Sequence, residues 1–245
     1  TGIESGVEIT TIADIPGQGT GLGSSSSVTV GLLNAMHAFQ GRRVSKEQLA
    51  EEACQIEIDI LGAPIGRQDQ YAASFGGVNS IRFGENGVQV EPIEVSEGLS
   101  KKFSENFTLV FTGLTRSASK VLSEQSDDES DKNSRMTEIR KHADEAASHI
   151  EHGDLDSLGA ILNQTWISKR GVSSMVTNTQ IDELYERVIS SGALGAKLLG
   201  AGNGGFLLVC GNQHLRGILQ RELGEGHRMF PLEIDFSGSS IIFGT

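Results

Sequence analysis

Residues 16–27 read PGQGTGLGSSSS and run directly into an apolar-periodic stretch at residues 28–39. Four glycines in twelve residues give a backbone able to take positive φ and to come close to a bound group, and the serines end the run where a helix should begin. The first turn of a helix has N–H groups with no intrahelical acceptor and carries the positive end of the macrodipole. An anion held there gains hydrogen bonds and favourable charge. Ser24 or Ser25 adds a hydroxyl that can meet a phosphate oxygen or a Mg²⁺ ion. No lysine follows the last glycine, so this is not a Walker A loop. From composition alone, a Gly/Ser turn capped by a serine would read the same way.

The rest of the chain narrows the choice. Its 245 residues, 37% of them apolar, suffice for one large domain or two ordinary ones. No apolar run reaches the ~20 residues that a bilayer-spanning helix needs, and the N-terminus shows no leader pattern, so a cytoplasmic protein without a membrane partner is expected. A net charge of −12 argues against a nucleic-acid surface, which needs clustered Lys and Arg. Much of the acid lies in residues 123–131, SEQSDDESD, expected as a solvated loop or helix start. Cys54 and Cys210 sit in apolar contexts far apart and are expected as buried free thiols. His149 and His152 form an i, i+3 pair expected on a solvated helix face.

Taken in order, residues 6–15 predict a strand and residues 24–40 a helix with an apolar face. Ser45-Lys46-Glu47-Gln48 is a capping box opening a helix to about residue 61, with Leu49, Ala53, Ile56 and Ile60 as its buried stripe. Glu57 falls near that helix's end, where the dipole disfavours a carboxylate unless a cation is close. Asp69 lies between Gln68 and Gln70 in a glycine-punctuated segment, residues 62–77. On its own it would serve as a turn residue satisfying its own backbone. Residues 78–83 and 88–95 predict a hairpin about a Gly-Glu-Asn-Gly turn, and residues 96–105 a surface crossing between two domains, 1–98 and 99–245. A strand at 107–111 leads into Thr112, Gly113, Arg116 and Lys120, where the basic pair reads equally as a phosphate clamp or as an ordinary helix start. Helices follow at 131–152, 154–169 and 178–191, then KLLGAGNGG at 197–205, a strand at 206–210, a helix at 213–223 and a strand at 229–234. Trp166, the only tryptophan, is expected in the core or in a cleft wall. Helix-rich stretches between strands point to an α+β, helix-covered sheet.

PGQGTGLGSSSS followed by VTVGLLNAMHAF resembles the second motif of the GHMP small-molecule kinases, and KLLGAGNGGFLLV at 197–209 resembles their third. Two glycine-rich motifs in the right order are far more specific than either alone. The phrases GLGSSSS, GRQDQYAASFGG and TGLTRSAS resemble the sugar-1-kinase branch, in particular its heptose 7-phosphate kinases, with L-fucokinase domains as near relatives. The resemblance implies an α+β two-domain fold: an S5-like N-terminal domain, here incomplete, and a ferredoxin-like C-terminal domain. It implies a phosphoryl transfer from ATP, with Mg²⁺, to the anomeric hydroxyl of a sugar phosphate.

In that picture Asp69 is the general base, and Pro16, Gly19, Gly21, Leu22, Gly23, Ser24, Ser25 and Ser26 cradle the nucleotide. Ser25 and Glu57 form the Mg²⁺ environment. Gln68, Gln70, Thr112, Gly113, Arg116, Gly202 and Gly204 face the substrate. The partner is a small molecule, with a homodimer allowed. The family's first motif, which precedes the glycine loop, has no counterpart here, so the chain is expected to be part of a longer one. A non-catalytic nucleotide and sugar binder, or a decarboxylase on the same fold, are the alternatives.

Overall fold

The fold is given by a computed structural model that describes residues 2–3, 6–13, 19–115 and 129–243. Pro16, Arg116, Lys120 and the acidic run up to residue 128 lie outside the described residues.

The glycine loop feeds helix α1 (Ser24–Phe39), and α2 (Lys46–Cys54) returns against it. Ser45 caps α2 by accepting a hydrogen bond from the Gln48 backbone N–H at 3.1 Å, as the capping box predicts. Val30 and Leu33 of α1 meet Leu49 and Ala53 of α2 in a small apolar core. Beyond Cys54 the expected single helix changes character, because residues Gln55–Ile60 form a π-helical turn. The wider turn accommodates an extra residue and shifts the helical phase, so Glu57 points inward at 3% exposure and Ile60 turns out at 74%. The predicted buried stripe therefore holds at Leu49 and Ala53 and fails at Ile60.

Helix α3 (Gln68–Phe75) comes next, with Asp69 in its first turn, where sequence suggested a plain turn. Tyr71 fastens α3 to α2. Its hydroxyl donates to Glu51 at 2.7 Å, a carboxylate that Arg67 also binds. The hairpin β1 (Val78–Gly84) and β2 (Gly87–Ile93) forms with Val78 opposite Ile93. It lays Ile81, Val88 and Val90 against Tyr71 and Cys54.

Two expectations fail. Residues 6–13 form no strand, because no described strand supplies the hydrogen-bonding partner that a strand requires. The expected crossing at 96–105 is instead helix α4 (Glu97–Asn106), opened by the Leu99 N–H donating to the Ser96 hydroxyl at 3.2 Å. Phe103 buries its apolar side against Phe107.

The second half is a four-stranded antiparallel sheet in the order β4-β5-β3-β6, from β3 (Phe107–Phe111), β4 (Gly195–Leu198), β5 (Phe206–Cys210) and β6 (Met229–Pro231). Helices α5 (Glu129–His152), α6 (Leu155–Arg170), α7 (Thr179–Ser190) and α8 (Leu215–Leu223) complete it. Trp166 is fully buried in its main core with Val110, Leu198 and Leu207, one of the two places expected of it. Cys54 and Cys210 are buried free thiols. Helix α6 reaches β4 at backbone distance, since a Cβ on Gly195 would overlap the Gly159 carbonyl. That contact sets the position of the last turn of α6 relative to the loop after β4. Among the described residues no helix is long and apolar enough to cross a membrane.

Candidate active site

Helix α1 starts without a side-chain cap. Its N-cap is Gly23, in the left-handed region at φ 67°, and it makes no side-chain hydrogen bond to the first turn. A serine or aspartate there would occupy those N–H groups. A glycine leaves them available to an external acceptor, with the helix dipole behind them.

Three further groups converge on this helix start. Ser25 donates its hydroxyl to Glu57 Oε1 at 2.5 Å, and Gln70 Nε2 donates to Glu57 Oε2 at 2.7 Å. The π-helical turn thus delivers Glu57 to α1, and α3 delivers Gln70 to Glu57. Glu57 is buried, and no ion pair among the described residues includes it. A buried carboxylate without a cation is a costly arrangement. Two oxygen donors side by side suit a hard divalent cation that keeps waters and takes its other ligands from a bound phosphate. The residues present therefore fit a Mg²⁺ ion. Gln70 is fully buried, and its Oε1 has no hydrogen-bond partner within the protein.

Asp69 packs on the cap itself. A Cβ added to Gly23 would stand 3.1 Å from the Asp69 Cγ and 3.3 Å from its Oδ2. Only glycine permits this contact between the carboxyl and the phosphate-type loop. Burial pushes the Asp69 carboxyl above the usual aspartate range; the hydrogen bond with Gln68 pulls it part of the way back, and the Glu57 charge pushes it up again.

The second glycine-rich loop closes on the first. Phe206 N–H donates to the Thr20 carbonyl at 3.1 Å, and Gly205 N–H donates to the Leu114 carbonyl at 2.8 Å. Gly205 sits at φ 99°, with its α-carbon so close to Thr20 that a Cβ would lie 2.3 Å from the Thr20 carbonyl oxygen. Gly200 and Gly21 are likewise in backbone contact. Thr112 uses its hydroxyl to hold the Gly205 carbonyl at 2.8 Å, and Asn203 takes a left-handed φ of 59° with its side chain bound by Asn178 at 2.5 Å.

Of the expected site residues, Gly19, Gly21, Leu22, Gly23, Ser24, Ser25, Ser26, Glu57, Gln68, Asp69 and Gln70 are brought together at the start of α1 by α3 and the π-helical turn. Thr112, Gly202 and Gly204 belong to the second loop and its support, with Gly113 exposed beside Thr112. Sequence reasoning missed Thr20, Asn203 and Lys169. Lys169, at the end of α6, donates to the Gly200 carbonyl. Thr20 stands inside the first glycine-rich loop and Asn203 inside the second, so both were within reach. Lys169 carries no local signal, because its partner is thirty-one residues away in the chain.

The family model for the GHMP kinases N terminal domain matches residues 1–77, and that for the GHMP kinases C terminal region matches residues 146–226. Between them they take in more than half of the chain. The D-glycero-alpha-D-manno-heptose 7-phosphate kinase of Campylobacter jejuni is 33% identical over 200 residues, which are 80% of this chain and 59% of that protein. The mevalonate kinase of Aeropyrum pernix is 34% identical over 194 residues, 77% of this chain and 56% of that one. The chain thus spans less than two thirds of the length of these relatives. Among solved structures, a D-glycero-D-manno-heptose 1-phosphate kinase from Bacteroides thetaiotaomicron superposes with a TM-score of 0.70 at 23% identity, over 90% of this chain and 62% of that one.

Proposed function

The chain belongs to the GHMP kinase family, with that family's two-domain α+β architecture, and from this premise we propose that it transfers the γ-phosphoryl group of ATP to a sugar hydroxyl. The substrate class we assign is a sugar phosphate, D-glycero-D-manno-heptose 7-phosphate first, with the anomeric hydroxyl as acceptor. The single observation that carries this reading is the Asp69 carboxyl seated on Gly23, at the mouth of an uncapped helix whose second residue is bonded to Glu57. The 33% identity to a heptose 7-phosphate kinase supports the substrate class.

The roles derive from position. The first-turn N–H groups of α1 hold the nucleotide phosphates, and Ser25 and Glu57 hold Mg²⁺. When bound, that ion offsets charge on the phosphate oxygens. Gln70, by donating to Glu57 Oε2, fixes the Glu57 rotamer and keeps Oε1 beside the Ser25 hydroxyl. Asp69 orients the sugar hydroxyl and accepts its proton as the oxygen attacks phosphorus.

The test is ADP release by the purified chain with Mg-ATP and a panel of heptose 7-phosphate, L-fucose, D-galactose, mannose 6-phosphate and mevalonate. Turnover confined to the heptose phosphate is the expected result, and turnover with mevalonate alone would overturn the substrate assignment.

Two predictions attach to this site. Asp69 must be ionised to accept a proton, so activity is lost on acidification as Asp69 protonates. Because burial raises that carboxyl, the acid limb of kcat/KM is expected above the ordinary aspartate range. A limb at the ordinary aspartate value would detach Asp69 from the proton transfer. Glu57→Gln keeps the side chain's shape and removes its charge. The Mg²⁺ concentration giving half-maximal activity is expected to rise about tenfold or more, and the thermal upshift produced by Mg-ADP over ADP alone to shrink. An unchanged metal titration would remove Glu57 from the metal site.

A further inference from the structure

Lys169 is the group that neither the sequence motifs nor the proposed reaction uses. It lies in the last turn of helix α6, which is set against β4 by the Gly159–Gly195 backbone contact, and its ammonium donates to the Gly200 carbonyl. Gly200 is one of the second-loop residues, with Leu199, that touch Gly21 of the first. One hydrogen bond and one backbone contact therefore link the Lys169 ammonium to the phosphate-type loop.

Among the described residues no anion forms an ion pair with this lysine. Lys197 approaches from β4. On α5, Glu138 accepts from the Ser168 hydroxyl at 2.9 Å, Arg135 pairs with Asp131 at 2.7 Å, and His142 meets Thr165 at 3.2 Å. On α7, Asp182 pairs with Arg170 at 3.0 Å, and the Tyr185 ring lies beneath that guanidinium. No ion pair among the described residues includes Lys169 or Lys197. Two neighbouring cations without a carboxylate repel each other, and that repulsion is relieved when an anion arrives nearby.

We propose that Lys169 is a positioning residue for nucleotide binding: its ammonium holds the 199–205 loop against the 19–23 loop and, while protonated, places a positive charge behind the phosphates. This rests on the kinase reading above, in which the first loop holds the phosphates of ATP. A cation on the Gly200 carbonyl also polarises the peptide link to Ala201 and makes the N–H of Ala201 a stronger donor. Burial and Lys197 together pull Lys169 down to about 7. An anionic ligand favours the charged form and pushes the value back up, so binding takes up a proton when the free protein has lost it. Affinity is then full below about pH 7 and falls as pH rises through that value, until the pH reaches the higher value of the complex.

The experiment is calorimetric titration of the chain with ADP and with ATP at about pH 6.5 and about pH 8.5, for the wild type, K169M, K169R and K197M. In the wild type, ADP affinity is expected to fall about five- to tenfold between the two pH values. K169M should bind about tenfold more weakly at the lower pH and show a flat pH profile. Where turnover is measured, the change should fall on the KM for ATP and spare kcat. K169R keeps a cation at both pH values and should restore binding without the pH dependence. K197M removes the repelling neighbour and should move the wild-type midpoint upward. Nucleotide affinity unmoved by K169M, or a wild-type profile flat across neutral pH, overturns the proposal while leaving the kinase reading intact. A wild type that binds neither nucleotide at any pH overturns both. If K169M fails to fold, the wild-type profile and its displacement in K197M decide the matter.

Discussion

Asp69→Asn is expected to lower kcat by about 10²- to 10⁴-fold, the range of a lost general base, while leaving nucleotide affinity near the wild-type value. Asparagine is close to aspartate in shape, so the contact with Gly23 is kept and the loop geometry is undisturbed. The capacity to accept the hydroxyl proton disappears. Stability should move the other way. The folded state disfavours the charged form of Asp69, through burial and through Glu57, so the ionised group costs stability at every pH above its unfolded value. The neutral amide carries no such cost. D69N should therefore melt at or above the wild-type temperature at neutral pH while being nearly inactive. A variant that retains turnover would remove Asp69 from the proton transfer, and one that melts well below the wild type would make its role structural.

Gly205→Ala is the substitution with the largest expected effect on the fold of the site. The new methyl group would meet the Thr20 carbonyl oxygen at 2.3 Å and its carbon at 2.7 Å. Both are backbone atoms, so no side-chain rotation relieves the overlap. The φ of 99° is itself unfavourable for any residue with a Cβ. Overpacking costs typically about 1–3 kcal/mol and the backbone strain about 1–3 kcal/mol more. The easiest relaxation is for the two glycine-rich loops to part, which breaks the Phe206–Thr20 hydrogen bond and loosens the Thr112 contact. G205A should show a midpoint shift in urea corresponding to several kcal/mol and should lose detectable ADP binding. Gly217→Ala is the matched control. Gly217 lies inside α8, and a methyl group added there would meet no heavy atom within 4 Å, so the replacement should stabilise by about 0.5–1 kcal/mol. If G205A behaves like G217A, the apposition of the loops is not required.

Much of the candidate site was legible because its parts announce themselves locally. A run of glycines before serines predicts an anion-receptive helix start, and α1 begins at Ser24, with Gly23 and not a serine at its cap. The alternation about Gly-Glu-Asn-Gly specified the hairpin, and the 3.6-residue pattern over 178–191 specified α7, which the structure shows capped by Asn178 through the Ile181 N–H at 3.1 Å. Residues 96–105 misled because serine and glycine near their start resemble a loop, whereas Ser96 is the cap and Leu99 and Phe103 the buried side of a helix. Glu57 looked like a misfit at a helix end. It is resolved by the π-helical turn, which hydrogen-bond spacing produces and hydrophobic periodicity does not reveal.

By itself the sequence determined many of the local pieces: where α1, α2 and α7 start, which positions favour glycine, and that two glycine-rich loops exist. Those properties depend on φ preferences, cap chemistry and periodicity within a few residues. Only the tertiary structure decided which pieces meet. Asp69 on Gly23, Gly205 on Thr20 and Lys169 on Gly200 are contacts between residues far apart in the chain. They are set by the packing of α3 on α2 and of α6 on the sheet, where many weak apolar contacts add up to a position that no single residue encodes.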